Sequence, residues 1–319
     1  MNEKVVICDC DHENVEEEQR VFEEAGYSFR WLHCVTQEDV IRECSGAEVL
    51  LTQYVPMNEN LFSQLPSVKC LVRYGVGVDS VNLEDAKKMG VRVCNVPDYG
   101  TREVADQALA LMMALVRKTH EANNLIHQGI WDYRRCIPVY RTSETVVGII
   151  GLGRIGSAFA QRVLAMDCKV IAYDIMDMAV CKHHRDPRIE MVTLEELLQR
   201  SDVISIHCPL NQQTKDLIAA PQLAMMKKNA YLINVARGGI INEKDLDEAL
   251  EKKEIAGVGL DVVTDERNVT QSPLLRHENL LISPHMAWYS EQSSKELKRK
   301  AAEEAVRFLR GEKLRCPVV

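Results

Sequence analysis

The sequence predicts an α/β protein of two parallel-sheet domains, one inserted into the other. Three observations lead there. A chain of 319 residues is long for one compact core, so two domains are the first expectation. Short apolar runs alternate with helical patterns in two separate blocks, and that alternation builds parallel strands with helices on their faces. After the second block comes a charged amphipathic helix, 290–310, with nothing beyond it to continue the second sheet, so it is expected to fold back on the first domain. The boundaries follow as 1–98 plus 290–319 for the outer domain and 99–289 for the inserted one.

In the first block, strand-like runs fall at 5–8, 29–33, 49–51, 70–72 and 91–95, with helical patterns at 15–25, 38–44, 59–65 and 83–89. Gly26 and Gly90 fall just past helix ends, where a left-handed residue is needed. The size suits a flavodoxin-like sheet. Pro97 closes the block. A helix is expected over 102–118, with Val104, Ala108, Leu111, Met112 and Leu115 on its buried face, in a place that suits a connection between domains. The segment 129–141, GIWDYRRCIPVYR, has neither period. Its Trp131, Tyr133 and Tyr140 suit packing on a neighbouring subunit and folding over their own chain equally well.

The second block opens with Val146–Ile150, an apolar run that reads as a buried strand. The turn Gly151-Leu152-Gly153-Arg154-Ile155-Gly156 follows, then a helix, then a strand over 169–173 ending in Asp174. Gly-x-Gly-x-x-Gly alone is weak; between a strand and a helix, with an acid at this distance, it is specific for a dinucleotide. Gly151 permits the tight turn, Gly153 lets the backbone approach a pyrophosphate, and Gly156 allows close helix–strand packing. The helix N-terminus then receives the phosphates. Asp174 accepts from ribose hydroxyls and repels a 2′-phosphate, and the residues after it are Ile175, Met176 and Asp177 with no arginine, so NAD is the expected cofactor. The block continues with a helix at 192–199, opened by a Thr193/Glu196 capping box. A strand at 203–208, a helix at 223–227, a strand at 230–235, a helix at 244–252 and strands at 258–262 and 280–283 complete a Rossmann-type sheet.

Composition bounds the function. A formal charge of −8 argues against a nucleic-acid surface. No apolar run is long enough to span a bilayer. The N-terminus MNEKVVICDC enters a strand without the pattern of a secretory signal, so a cytoplasmic protein is expected. The 11 cysteines are scattered, form no CxxC pair, and read as free, largely buried thiols. No metal site is expected: His183-His184 with Asp186 reads as an exposed loop, and KELKRK (295–300), followed by Glu303 and Glu304, as a solvated helix face.

Parallel sheets bind ligands beyond the carboxyl ends of their strands. Polar residues directly after strands of the inserted domain are Cys208-Pro209, Ala236-Arg237, Asp261 with Glu266 beyond it, and His285. Reducing a ketone by hydride needs a proton donor at the carbonyl oxygen, and histidine serves near neutral pH. A carboxylate beside it fixes its orientation. An arginine grips an α-keto carboxylate and polarises the carbonyl. Arg237, Glu266 and His285 are therefore the candidate electrophilic anchor, orienting carboxylate and acid.

Six stretches now make a resemblance plain: RYGVGVDSVNLEDAKKMGVRVCNVPDYG (73–100), VVGIIGLGRIG (146–156), HCPLNQQT (207–214), LINVARGGIINEKDL (232–246), GLDVVTDE (259–266) and SPHMAWYS (283–290). Over nearly its full length the chain resembles the D-isomer-specific 2-hydroxyacid dehydrogenases. Within them it is similar to phosphoglycerate dehydrogenases and, in PHMAWYSEQS, to the C-terminal-binding protein corepressors. The resemblance implies an NAD-dependent oxidoreductase interconverting a small 2-oxo acid and its D-2-hydroxy acid, with the Rossmann cofactor domain inserted into a flavodoxin-like substrate domain. It implies the roles above for Arg237, Glu266 and His285. It puts Arg154, Ile155, Asp174, Cys208, Pro209, Val235, Ala236 and Asp261 on the cofactor, together with Gly151, Gly153 and Gly156. It puts Arg73, the Val76-Gly77 amides and Trp288 on the substrate, and it implies a homodimer through the cofactor domains. Two alternatives stand beside this: phosphoglycerate dehydrogenase proper, with Arg73 and Arg102 or Arg267 meeting a phosphate, and an NADH-responsive scaffold with little turnover. The intact Arg/Glu/His set and the absence of a long tail weigh for the enzyme. Arg267 stands where many relatives have proline and is expected to alter that loop and charge the pocket.

Overall fold

The computed structural model describes residues 4–175 and 186–319. The expectation for His183 and His184 lies outside them. Two compact units are formed, one by Met1–Gly100 with Ser290–Val319 and one by Thr101–Tyr289.

The first unit alternates β1 (Val5–Ile7), α1 (Glu16–Ala25), β2 (Phe29–Trp31), α2 (Gln37–Glu43), β3 (Val49–Thr52), α3 (Glu59–Gln64), β4 (Cys70–Arg73), α4 (Leu83–Lys88) and β5 (Arg92–Cys94). Its five strands lie in the order β2-β1-β3-β4-β5, all parallel, which is the flavodoxin-like arrangement. β1 and most of β3 and β4 are buried on both faces, so they read as unbroken apolar runs. Short polar residues start the helices. Thr36 and Asp39 form a capping box on α2, while Asn58 and Asn82 cap α3 and α4. Gly26 closes α1 at φ +80°, as its position in the sequence requires. The helix Glu291–Leu309 packs on α1 and completes this unit. The residues after it run antiparallel along β5, with Val318 N donating to Val93 O at 2.7 Å, and so cover a sheet edge.

The second unit contains α5 (Thr101–Val116), α6 (Thr119–His127), β6 (Val146–Ile150), α7 (Arg154–Leu164), β7 (Lys169–Tyr173), β8 (Ile189–Met191), α8 (Leu194–Arg200), β9 (Val203–Ile206), α9 (Ala220–Met225), β10 (Tyr231–Asn234), α10 (Glu243–Glu251), β11 (Gly257–Leu260) and β12 (Leu280–Ile282). Its seven strands are parallel in the order β12-β11-β10-β9-β6-β7-β8. The order reverses between β6 and β9, and in such sheets ligands bind beyond the carboxyl edge at that point. α5 and α7 cover one face of the sheet, and α8, α9 and α10 the other.

Several elements differ from expectation. α5 buries the predicted face within this unit: Val104, Ala108, Leu111, Met112 and Leu115 are at most 9% exposed, and α5 packs on α7, β10 and β11. Gly259 on β11 makes that approach possible, because a Cβ there would lie 3.2 Å from Leu111 Cβ. α6 and β8 were not expected; Lys118 at φ +53° breaks the helical run, and three residues are too few to show a strand period. α9 starts three residues before the predicted helix, because Pro221 fits its first turn. The segment 129–141 carries a short 3-10 turn, Tyr133–Cys136, and its aromatic residues are not folded over their own chain: Trp131 is 90% and Tyr133 80% exposed.

A polar cluster is buried in the first unit. Tyr74 Oη donates to Glu18 Oε1 at 2.9 Å, His12 Nδ1 lies 3.4 Å from the same oxygen, and the His12 ring meets Tyr74 edge-on. Burial alone pushes His12 down, but the neighbouring Cys10 thiol and Glu18 carboxylate outweigh it and hold the imidazole up at about 9. A histidine held up in the fold stabilises it fully below its ordinary 6.5 and loses that contribution as pH rises through about 9. Urea unfolding of the first unit is therefore expected at lower denaturant at pH 9.5 than at about 6.5, and His12→Asn is expected to flatten the difference. An equal drop in the variant would reject the assignment to His12.

Candidate active site

The glycine turn joins β6 to α7. Gly151 has φ +91°, and a Cβ on it would stand 2.7 Å from Cys208 N, so strand β9's continuation leaves no room for a side chain. A Cβ on Gly156 would lie 2.0 Å from Gly151 O, which fixes how closely α7 packs under the turn. At Gly153 no atom lies within 4 Å of that position. Gly153 is also the N-cap of α7 and has no side chain to satisfy the helix N-terminus. A close, open approach to a positive helix end is what a pyrophosphate needs. Asp174, past β7, accepts from Leu152 N at 2.7 Å and so ties the strand end to the turn. Arg154 is exposed, and Ile155 and Cys208 are half-buried beside it in sequence and across the turn. The residues present fit a dinucleotide.

His207, which the sequence reading carried only inside a motif, lies beneath this turn. Its Nε2 is 2.9 Å from Ser205 Oγ, its ring packs against Phe159, and burial pushes it down to about 3, so it is neutral at ordinary pH. Cys208 next to it is pushed up to about 11 by burial and is a thiol. Pro209 is exposed.

Arg237 follows β10. The peptide around it is tied by Asn234, 1% exposed, whose Nδ2 donates to Arg237 O at 2.8 Å and whose Oδ1 accepts from Ala236 N at 3.0 Å. Arg237 Nη1 donates to Ala236 O at 2.8 Å. A Cβ on Gly238 would stand 2.1 Å from Val263 O, so the turn after β10 is pressed against the turn after β11. Val235 is buried and Ala236 half-buried there.

His285 and Glu266 are brought together from 19 residues apart: Nδ1 lies 2.9 Å from Oε1 and 3.0 Å from Oε2. His285 adopts φ +51°, a left-handed conformation that costs a side-chain-bearing residue about 1–3 kcal/mol. Asp261 holds it there. That carboxylate, 1% exposed, accepts from Ser283 Oγ at 2.6 Å, Met286 N at 3.1 Å and Ala287 N at 2.8 Å, while Asp261 O accepts from His285 N at 2.8 Å. Burial pushes Asp261 up, against these donors and His285. Asp261, which the resemblance puts on the cofactor, also braces the His285 loop. Trp288, expected on the substrate, packs against the core of the second unit, edge-on to Tyr289. Arg267 is exposed in the 3-10 turn Glu266–Gln271, where its charge, after Asn268, helps hold Asp265 below the usual carboxylate range; it does not replace Glu266 beside His285.

In the first unit, Arg73 ends β4 and the chain turns through Gly75, at φ +123°. A Cβ on Gly75 would fall 1.9 Å from Arg73 Nη1, so glycine is required for the guanidinium to lie across the turn. Gly75 O accepts from Val96 N at 3.0 Å, and Val76 O from Asn95 Nδ2 at 2.7 Å. Carbonyl and amide of a trans peptide point oppositely, so these contacts turn the Val76 and Gly77 N–H groups away from Asn95 and Val96.

Comparison with known proteins identifies the family. Residues 109–287 match the NAD-binding domain of the D-isomer-specific 2-hydroxyacid dehydrogenases. The chain is 34% identical to a glyoxylate reductase of Korarchaeum cryptofilum over 275 residues, 85% of this chain and 82% of that one. It is 33% identical to a glycerate dehydrogenase of Methylorubrum extorquens, over 98% of both chains. Among solved structures, a D-lactate dehydrogenase of Aquifex aeolicus in complex with NAD and lactic acid superposes with a TM-score of 0.87 at 27% identity, covering 97% of this chain and 96% of that one.

The brace is open to test. Asp261→Asn turns an acceptor facing Ala287 N into a donor, and a buried mismatch of this kind costs about 1–3 kcal/mol. The urea midpoint is expected to fall accordingly, with turnover lost in parallel as His285 leaves its place. Unchanged stability and activity would remove Asp261 from this role.

Proposed function

The chain belongs to the D-isomer-specific 2-hydroxyacid dehydrogenase family, and we propose that Arg237, Glu266 and His285 perform its reaction on a small 2-oxo acid. The protein is an NAD-dependent oxidoreductase that interconverts 2-oxo and 2-hydroxy acids. Its own residues divide the work. The Gly151–Gly156 turn and the α7 N-terminus receive the pyrophosphate, and Asp174 the adenosine ribose. Arg154, Ile155, Cys208, Pro209, Val235, Ala236 and Asp261 form the remaining lining. When bound, the nicotinamide supplies a hydride to the carbonyl carbon. The Val76 and Gly77 amides and Arg73 are assigned to the substrate carboxylate. Arg237 is assigned to draw charge toward the carbonyl oxygen, and Trp288 to bound the substrate side chain. Glu266 occupies Nδ1 of His285, so the proton is delivered from Nε2 to that oxygen.

The observation that carries this reading is the Glu266–His285 pair on a loop held in a strained conformation by a buried acid. A scaffold with little turnover has no need of such a pair. Glyoxylate, hydroxypyruvate and 3-phosphohydroxypyruvate are the substrates to try first. His285→Ala should lower kcat by about 10²–10⁴ while NADH still binds, read by steady-state rates and fluorescence titration. Full activity in that variant would sink the assignment.

The same proposal includes a cytoplasmic dimer. The described cysteines are all free, as in a reducing compartment. Trp131, Tyr133 and Tyr140 are 90%, 80% and 61% exposed on one short segment, and a second copy would cover them. Sedimentation is expected to give a dimer that Trp131→Ala with Tyr133→Ala weakens; a monomeric parent protein would refute it.

A further inference from the structure

Asp9 follows β1 in the first unit and is 3% exposed. Its carboxylate is satisfied by one neighbouring turn. Oδ2 accepts from three consecutive backbone amides, those of Gln53 at 3.1 Å, Tyr54, and Val55 at 2.9 Å. Oδ1 accepts from the Thr52 hydroxyl and the Cys8 thiol. All of these donors but Cys8, which follows β1, stand where β3 ends, at the carboxyl edge of the sheet. A second residue of the same stretch repeats the attachment: Asp11 accepts from Tyr54 Oη at 2.7 Å, and its N–H donates to Gln53 Oε1 at 3.2 Å.

Thr52 connects this turn to the next strand. It pairs with Arg73 across β3 and β4, and its carbonyl accepts from Tyr74 N at 2.8 Å. Its hydroxyl is therefore held by Asp9 while its peptide holds the start of the turn 74–77. Resting on the assignment of Arg73, Val76 and Gly77 to the substrate carboxylate, we infer that Asp9 is a positioning residue. Through Thr52 and the turn 53–55 it sets where β4 ends, and so where Arg73 and the two amides stand. A chain turn at a sheet edge has many arrangements of similar energy. A buried carboxylate that needs all of its donors at once admits one of them. The parallel with Asp261 in the second unit is close: there too a buried acid just past a strand gathers amides and a hydroxyl from a neighbouring turn.

The experiment is steady-state kinetics with NADH and whichever of glyoxylate, hydroxypyruvate and pyruvate turns over best. Asp9→Ala is expected to raise KM for the oxo acid by about tenfold or more, with kcat within about threefold and NADH affinity unchanged. Asp9→Asn keeps an oxygen for the three amides and is expected to return KM to within about threefold of the parent. Thr52→Val, which keeps the fold's volume and removes the hydroxyl, is expected to raise KM in between, and carries the test if Asp9→Ala does not fold. Arg73→Ala separates the two levels of argument. If it raises KM and neither Asp9→Ala nor Thr52→Val does, the inference is overturned. If Arg73→Ala itself leaves KM unchanged, the substrate assignment fails instead. Equal loss of kcat and NADH binding in Asp9→Ala, without rescue by Asp9→Asn, would make Asp9 merely structural and also overturn it.

Discussion

The geometry around His285 depends on one carboxylate. Asp261 lies at the end of β11 with almost no exposure, and it takes donors from Ser283, Met286 and Ala287. Those contacts close the residues after β12 into a loop whose centre, His285, is forced to φ +51°. An unsupported histidine would leave that conformation, since strain of this size persists only where the surroundings over-determine it. With the loop closed, Nδ1 of His285 meets Glu266. An acid that burial pushes up is thus kept useful by the hydrogen bonds around it.

The parallel sheet explains why so few residues suffice. Every strand of a parallel sheet delivers its next residue to the same edge, and helices return the chain on the faces. The glycine turn after β6, Asp174 after β7, His207 and Cys208 after β9, Arg237 after β10 and Asp261 after β11 all share that edge because their strands do. Close packing then does the fine adjustment. Gly156 lets α7 reach the turn, and Gly238 lets the turn bearing Arg237 press on Val263. In the first unit, Gly75 leaves room for the Arg73 guanidinium across its own turn.

Much of this was legible in the chain. The strands are apolar runs because both of their faces are covered, and the glycine turn shows itself by its place between a strand and a helix. Arg237, Glu266 and His285 followed from counting residues past predicted strands. What was not legible were side chains whose work is to hold other residues. Asn234, Ser283 and Ser205 look like ordinary polar residues in sequence, and their partners are turns whose shape a linear reading does not contain. Asp9 is a similar case, since all of its donors but Cys8 lie more than forty residues away. α6 and β8 were missed for a different reason: a left-handed lysine and a three-residue strand leave no periodic signal.

The sequence by itself determined the fold class, the dinucleotide turn and the candidate site side chains. These rest on local rules: period, glycine at positive φ, and which residues follow a strand. Tertiary structure decided which of those side chains meet and in what posture. It paired Glu266 with His285 and turned Asp261 into the brace of their loop. It also left Arg267 beside Asp265, and Trp131 and Tyr133 exposed. The physical reason is that a buried carboxylate or a close-packed glycine acts through donors and surfaces supplied by distant parts of the chain, and only folding brings them within hydrogen-bond reach.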